Sequence, residues 1–373
     1  MPKRRANHEG TIYKRQDGRW VASVTLPGGK RKSFYGQTRQ EVAQKLTVGL
    51  KARLDGVPLP SEQLKVGRYL QDWLQSTQPS IRPSTWRRYE QLLRLYAIPT
   101  LGTLPLTRLE PRHVQRLHAD CLAQGLAPAT VRQLHAVLRR ALGQATKWGT
   151  VARNVVTLVT PPRVKRHEIT PLSAAQARTL LEAAQGNRFE ALYVLALTTG
   201  MRLGELLGLR WQDVDLATGM LQVHHTLLRL RDGLQLREPK TARSRRRIAL
   251  APSAVDALRH HRSRQAAIRL QLGPEWEDHD LVFANEIGKP VEAGNLLRRS
   301  FWPLLDKAGL PHIRFHDLRH TAATLLLQQG VHPKVVSELL GHSSIGLTLD
   351  TYSHVIPDMQ QQAVVAMDAL LRG

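Results

Sequence analysis

The chain has 373 residues and carries 54 Lys plus Arg against 30 Asp plus Glu, a formal net charge of +24. With 42% hydrophobic residues it holds enough apolar side chain for two or three folded domains, which excludes a disordered polyelectrolyte. The single cysteine, Cys121, excludes an internal disulfide and a cysteine-built zinc site.

The positive excess is spread along the whole chain, and a folded chain this basic calls for a polyanion, with nucleic acid as the default. A solvated basic surface or an anionic membrane surface would also satisfy the charge alone. A lone cysteine fits a reducing, cytoplasmic compartment. Met1-Pro2-Lys3-Arg4-Arg5 is followed by no apolar run, so it does not read as a secretory signal. No stretch of about 18 apolar residues is present, so no membrane partner is expected.

Residues 10–36 predict a small antiparallel sheet. Gly10 to Arg15 is one strand, Asp17-Gly18 a hairpin turn, and Arg19 to Leu26 a second strand with Trp20, Ala22, Val24 and Leu26 on one face. Pro27-Gly28-Gly29-Lys30 is the next turn and Arg31 to Tyr35 the third strand. Thr38 with Glu41 opens a helix as a capping box, running to about Leu54. This basic sheet carries Lys14, Arg15, Arg19, Lys30, Arg31 and Lys32, and a sheet of its size fits a major groove.

Val57-Pro58-Leu59-Pro60-Ser61 is a linker signal. Four helices are predicted after it. The first, Val66 to Gln75, carries Tyr69, Leu70, Trp73 and Leu74; the second, after Pro83, runs from Trp86 to Tyr96. The third starts at Glu110-Pro111, with Val114, Leu117 and Leu122 inward; the fourth runs from Pro128 to Trp148 through Leu134, Val137, Leu138 and Leu142. Trp73, Trp86 and Trp148 are expected in the core. The outward residues are basic: Arg82, Arg87, Arg88, Arg94, Arg132, Arg139, Arg140 and Lys147.

Asn154 to Lys165, with Pro161-Pro162, reads as an extended basic connector. From Pro171 onward a larger α+β domain is predicted. Ser173 caps a helix over Ala174 to Gln185; Phe189 to Thr199 is a buried helix, broken at Gly200 and resumed from Leu203 to Leu209. Val214, Met220 to Leu228, Leu234 to Glu238, Arg246 to Leu250 and Leu281 to Phe283 are short strands, with the Asp232-Gly233 turn among them. Long helices are expected over 253–272 and 293–308. The fold class is therefore mainly α with small antiparallel β-sheets, in several domains.

Four places in this last domain carry chemistry. Thr199-Gly200-Met201-Arg202 puts an arginine at a helix start, with Glu205 one turn on to fix its rotamer. Lys240 lies at a tip between two strands, near Arg243 and Arg245. His316 and Arg319 share a helical face; His320 lies one turn after His316 and reads as a packed histidine. His316 and His320 raise a metal reading, but the glutamate of a zinc-protease helix is missing and no third ligand is clear, so no metal is expected. The fourth is Leu340-Gly341-His342, followed by a short helix ending at Tyr352.

These groups are two arginines, a lysine, two histidines and a tyrosine, with no carboxylate cluster to hold Mg²⁺. They suit metal-free phosphoryl transfer. Two guanidiniums clamp a phosphodiester, lysine and histidine move protons, and tyrosine attacks phosphorus to form a covalent ester.

In that order, Thr199-Gly200-Met201-Arg202 with Glu205-Leu206, then His316-Asp317-Leu318-Arg319-His320-Thr321, Leu340-Gly341-His342-Ser343-Ser344 and Asp350-Thr351-Tyr352-Ser353-His354 resemble the two signature boxes of the tyrosine recombinase (phage integrase) family. The resemblance covers essentially the whole chain. It implies an arm-type DNA-binding domain at 1–56, a helical, SAM-like core-binding domain at 64–153 and a catalytic domain at 171–373.

It further implies that Arg202, Lys240, His316, Arg319 and His342 gather round the scissile phosphate while Tyr352 forms a 3′-phosphotyrosyl link. A free 5′-hydroxyl then attacks from a partner strand, by way of a Holliday junction within a homo-tetramer on double-stranded DNA. No metal or nucleotide cofactor is implied. An excisionase and a host DNA-bending protein are implied as further partners, and a cytoplasmic, nucleoid-associated location. Arg19, Lys30, Arg31, Lys32, Arg87, Arg88, Arg139 and Arg140 are the DNA-contact candidates. The apolar stretch Met359 to Leu371 is a candidate for docking on a neighbouring subunit.

A Xer-like resolvase, a type IB topoisomerase and a non-catalytic regulator derived from a recombinase are the alternatives. The N-terminal basic sheet speaks against the first two, and the complete residue set against the third. Gly341 also separates His342 from the tyrosine segment, so that segment is expected to be able to swing.

Overall fold

A computed structural model describes residues 10–25, 31–54, 64–165, 170–230, 233–238, 245–342, 344–352 and 359–372. Lys30, the Pro27 to Lys30 turn, the linker at 57–61, Asp232, Lys240 and Arg243 lie outside the described residues. The chain divides into two compact units, Met1–Arg166 and His167–Gly373.

The first unit opens with a three-stranded antiparallel sheet, β1 (Thr11–Lys14), β2 (Trp20–Thr25) and β3 (Arg31–Gly36), in the order β1-β2-β3. Gly18 makes the first turn at φ 83°, and Asp17 Oδ1 accepts from Arg19 N at 3.1 Å. Alternation along β2 points Ala22 and Val24 at Val42 and Leu46 of α1 (Arg39–Leu54), a small core of their own. The opposite face is covered too. Val21 pairs with Tyr13 and Tyr35, and Arg31 Nη2 donates to Ser23 Oγ at 2.8 Å. Thr38 Oγ1 caps Glu41 N, while the Glu41 carboxylate turns to Gln37 N.

A separate apolar cluster follows, built from α2 (Val66–Thr77), α3 (Pro83–Leu92), α4 (Ile98–Leu101), α5 (Pro111–Ala123) and α6 (Pro128–Lys147). A π turn, Leu93–Ala97, joins α3 to α4 and carries the helical run past Pro99, further than the sequence predicts. On α5 the inward face is Val114, Leu117, His118 and Cys121; Leu122 points to solvent, one position off the predicted stripe. Trp73 is buried and Trp86 is partly buried, bonding Leu74 O through Nε1 at 2.9 Å. Trp148 is exposed, because it falls at the C-cap of α6 where the helix leaves the core. The expected connector begins later than its sequence suggests: Val155, Val156 and Val159 pack into this helical cluster.

The second unit contains α7 (Ala174–Ala183), α8 (Glu190–Thr199), α9 (Leu203–Leu207), strands β4 (Val214–Asp215), β5 (Met220–Gln222), β6 (Thr226–Leu230), β7 (Gly233–Arg237) and β8 (Arg247–Ala249). Then come α10 (Pro252–Leu272), α11 (Ala293–Leu296), α12 (Trp302–Lys307), α13 (Phe315–Gln328), α14 (Pro333–Leu340), α15 (Ile345–Tyr352) and α16 (Met359–Arg372).

One antiparallel sheet has the order β4-β5-β8, and β6 pairs with β7 as a hairpin. The single strand expected over 220–228 is thus two strands in two sheets. The run Leu281 to Phe283 is not a strand. It makes an isolated bridge to Arg210, and its apolar side chains are buried in the core.

α8, apolar from Ala191 to Leu197, lies at the centre, with Leu192, Tyr193 and Leu195 fully buried. Such a run has no polar side to show to water and needs neighbours on several sides. Both α10 and α13 pack on it. Tyr193 shares a hydrogen bond with Ser300 at 2.6 Å. A second cluster, Ala323, Leu327, Val336, Leu340 and Tyr352, holds α13, α14 and α15 together.

Candidate active site

Arg202 reaches the site because α8 stops. Gly200 caps it in the left-handed region at φ 62°, and its carbonyl faces α13, where Arg319 Nη1 donates to it at 2.8 Å. A Cβ at Gly200 would lie 2.4 Å from Leu340 Cδ2, so glycine is required twice over. Arg202 then stands as the N-cap of α9, and Glu205 takes Arg202 Nη1 at 2.7 Å and Arg202 N at 3.1 Å.

Glu205 is shared with a second guanidinium. Arg246 Nη2 donates to its other oxygen at 3.0 Å. Burial pushes the Glu205 carboxyl up, and the charges of Arg246 and Arg202 outweigh it and hold the group below the usual range.

Arg319 is 3% exposed, and among the described residues its Nη2 has no hydrogen-bond partner. Burial, then the charges of Arg202 and Arg246, push its pKa down to about 9. Three guanidiniums against one carboxylate leave a surplus of positive charge in a poorly solvated place. A bound anion relieves both the surplus charge and the unused Nη2 donor.

The histidines sit round this charge. His316 shares the α13 face with Arg319; the protein around its ring, then Arg319 and Arg202, lower its pKa. His342 follows Gly341, which ends α14 at φ 66°. His342 Nδ1 and Thr348 Oγ1 are 2.7 Å apart, and among the described residues Nε2 has no hydrogen-bond partner. Burial, Arg319 and Arg202 bring the His342 pKa to about 4.

Tyr352, the last residue of α15, is 2% exposed. Its hydroxyl lies 2.6 Å from His320 Nδ1. Burial pushes the phenol up to about 12 against the pull of Arg319, while burial and His316 bring His320 down to about 4. At neutral pH the phenol is therefore protonated and the imidazole neutral, so the hydroxyl donates to Nδ1 and His320 carries its own proton on Nε2.

The structure thus gathers Arg202, Glu205, His316, Arg319, His342 and Tyr352 in one place. Two more residues belong with them. His320, read as packing, touches the tyrosine hydroxyl. Arg246 stands in a run of arginines where only burial separates it from its neighbours. Among the described residues no group of His, Cys, Asp or Glu is arranged to hold a metal ion.

Of the DNA-contact candidates in the first unit, Arg19, Arg31, Arg139 and Arg140 are exposed, and Lys32, Arg87 and Arg88 are half-buried. Arg88 is braced by Gln133 and Gln91, and Arg140 Nη1 reaches Tyr89 Oη at 3.3 Å. No helix among the described residues is long and apolar enough to cross a membrane.

The profile of the phage integrase family matches residues 170–358, and that of the phage integrase N-terminal SAM-like domain matches residues 65–121. An integrase of Streptomyces ambofaciens is 33% identical over 100% of this chain and 99% of its own length. A XerC-like tyrosine recombinase of Caldanaerobacter subterraneus subsp. tengcongensis is 32% identical over 91% of this chain and 92% of its own. Among solved structures, the Tn1549 transposon integrase in complex with a circular intermediate DNA superposes with a TM-score of 0.68 at 22% identity, covering 83% of this chain and 100% of that one.

Proposed function

The chain belongs to the phage integrase family and is a site-specific tyrosine recombinase of the phage or mobile-element type, and from that premise we propose the residues and steps by which it acts. Its substrate is double-stranded DNA at attachment sites. Arg202 and Arg319 clamp the non-bridging oxygens of the scissile phosphate, and the buried Arg319 Nη2, without a partner among the described residues, is the observation that carries this reading. Tyr352 Oη forms a bond to phosphorus as the bond from phosphorus to the 5′-oxygen breaks. The phenolic proton passes to His320 Nδ1, to which the hydroxyl already donates, and the departing 5′-oxygen takes one up from Lys240.

The product is a 3′-phosphotyrosyl ester and a free 5′-hydroxyl, and attack by a partner strand's 5′-hydroxyl reverses the chemistry. His316, His342 and Lys240 serve the proton transfers and the equatorial oxygens. Every group named here comes from the chain itself, so neither metal nor nucleotide enters the scheme.

We assign residues 1–56 to arm-type DNA binding, 64–153 to core-site binding and 171–373 to catalysis. The separate apolar clusters of the β1–β3 sheet and the helices after it support the first division. Exchange runs through a Holliday junction in a tetramer. The exposed Val364, Met367, Leu370 and Leu371 of α16 offer an apolar face for a neighbouring subunit. An excisionase and a host DNA-bending protein would choose direction, and the reaction belongs in the cytoplasm, on the nucleoid.

The test is a nicked duplex made from the ends of the element that encodes the chain. Incubation gives a covalent protein–DNA adduct that EDTA does not reduce and that Tyr352→Phe abolishes. An adduct surviving that substitution would remove Tyr352 as the nucleophile.

A further inference from the structure

Arg246 is a buried cation outside the signature boxes. Its side chain is 7% exposed, and its backbone carbonyl accepts from Val223 N at 3.0 Å, which ties it to the sheet. A guanidinium meant only to attract DNA would stay in water, where desolvation costs nothing. Burying one is tolerated when its donors are used, and among the described residues Nη2 and Nε are used on separate pieces of chain. Nη2 takes Glu205 Oε2 at 3.0 Å, and Nε takes the Leu339 carbonyl at 2.6 Å.

These two partners lead to the reacting centre. Glu205 holds Arg202 Nη1 through its other oxygen at 2.7 Å. Oε2 also accepts from Arg202 N at 3.1 Å, so Arg246 adds a charged donor to an oxygen already held, and it ties the carboxylate that grips Arg202 to the sheet. Leu339 lies in the last turn of α14, whose carbonyls lack helical partners and carry the negative end of the helix dipole. Arg246 therefore fastens this helix end two residues before Gly341, the turn that presents His342. Arg202 Nη2 stands 3.5 Å from the Gly341 carbonyl, so the two arginines clasp the same helix end.

We propose that Arg246 is a positioning residue for recombination: through Glu205 it sets the Arg202 guanidinium, and through Leu339 it fixes the turn that carries His342. The inference rests on the reading of Arg202 as a phosphate clamp.

The experiment measures, for the full chain on the same nicked duplex, the rate of adduct formation at saturating protein, the affinity for uncleaved DNA and the melting temperature. Arg246→Gln is expected to slow adduct formation by about 10- to 100-fold, with DNA affinity changed less than about threefold and a melting transition retained. Arg246→Lys, which keeps charge but loses the fork, recovers part of the rate. Glu205→Gln slows cleavage as well, and the double variant loses less than the product of the two single losses, because one of the two Arg246 contacts acts through Glu205 and only the Leu339 contact acts apart from it.

Wild-type cleavage by Arg246→Gln, or losses that multiply in the double variant, would overturn the proposal. If Arg246→Gln does not fold, the same cycle with Arg246→Lys decides it by the same criteria. Arg202→Lys is run beside them. Loss of cleavage there with an unaffected Arg246 variant sinks this inference alone, whereas undiminished cleavage by Arg202→Lys sinks the clamp reading beneath it.

Discussion

The Tyr352 hydroxyl donates to His320 Nδ1 across 2.6 Å, with the two ring centres 5.7 Å apart. The bond ties the end of α15 to the helix that carries Arg319, within one chain. Among the described residues the hydroxyl bonds neither Arg202 nor Arg319. It is held beside the cationic centre and out of water, with its proton already directed at a neutral imidazole. His320 itself is ringed by charge: His316 packs edge-on at 5.0 Å, and Asp317, Arg314 and Arg319 act on its pKa.

This bond predicts a coupled pair. In His320→Phe the buried hydroxyl loses its acceptor, and the catalytic unit should lose about 1–2 kcal/mol. Adding Tyr352→Phe removes the stranded hydroxyl and should restore part of that stability. Chemical denaturation of the four corner proteins gives the coupling. Strictly additive losses would show that the contact does not hold the tyrosine.

A second prediction concerns Gly200. Alanine there meets both a left-handed backbone and Leu340 Cδ2 at 2.4 Å. We expect Gly200→Ala to cost more than about 1 kcal/mol. It should also slow adduct formation by roughly tenfold, because the carbonyl that orients Arg319 must move. Wild-type melting and cleavage in this variant would mean that the turn yields without disturbing Arg319.

Much of this site was legible in the sequence because its signals are local. Gly200 before Arg202, Glu205 one turn later, the His316 to Arg319 spacing and Gly341 before His342 each describe one turn of chain. The helical fold was legible for the same reason: Pro83, Pro111, Pro128 and Ser173 sit at helix starts, where a missing N–H or a side-chain cap belongs.

What stayed hidden depends on distance or burial. His320 looks like any helix histidine until α15 places Tyr352 against it. Arg246 looks like Arg245 and Arg247 until its depth is known. Leu122 and Trp148 were misread because the α5 stripe runs through Cys121 and because α6 ends where the core does. The 220–228 run reads as one strand from Leu221, Val223, Thr226 and Leu227, and sheet pairing cuts it in two around His224 and His225.

The helical cluster of the first unit predicts a pH response. His118 and His135 are buried with ring centres 5.3 Å apart, and His118 Nε2 and His135 Nδ1 lack partners among the described residues. Burial, then His135, brings His118 to about 4; burial, then Arg139, lowers His135. Between pH 6.5 and 4 the unfolded chain binds protons that the folded one refuses, so stability is flat above that window and falls as pH drops through it. His118 alone contributes a loss on the order of 3 kcal/mol by the lower end. Urea titrations across the window should show the fall, and His118→Leu should make it shallower, the remainder coming from His135 and the histidines of the second unit. An unchanged slope in that variant would place the acid sensitivity elsewhere.

The last prediction separates the N-terminal sheet from the rest. Its outer face presents Tyr13 and Tyr35, each about half exposed (48% and 50%), with Arg31 held across Ser23 and Thr11. Its inner face has its own core in Ala22, Val24, Val42 and Leu46, so removing residues 1–56 takes away a packed module without opening the helical cluster. The truncated chain should still cleave an isolated core site at the full-length rate. It should fail to integrate DNA that also carries arm sites. On such DNA its log affinity should fall less steeply with log salt, by about 0.9 for each phosphate the sheet contacts. Equal salt slopes for the two proteins would show that the sheet makes no phosphate contact, and equal integration would remove the arm-binding assignment altogether.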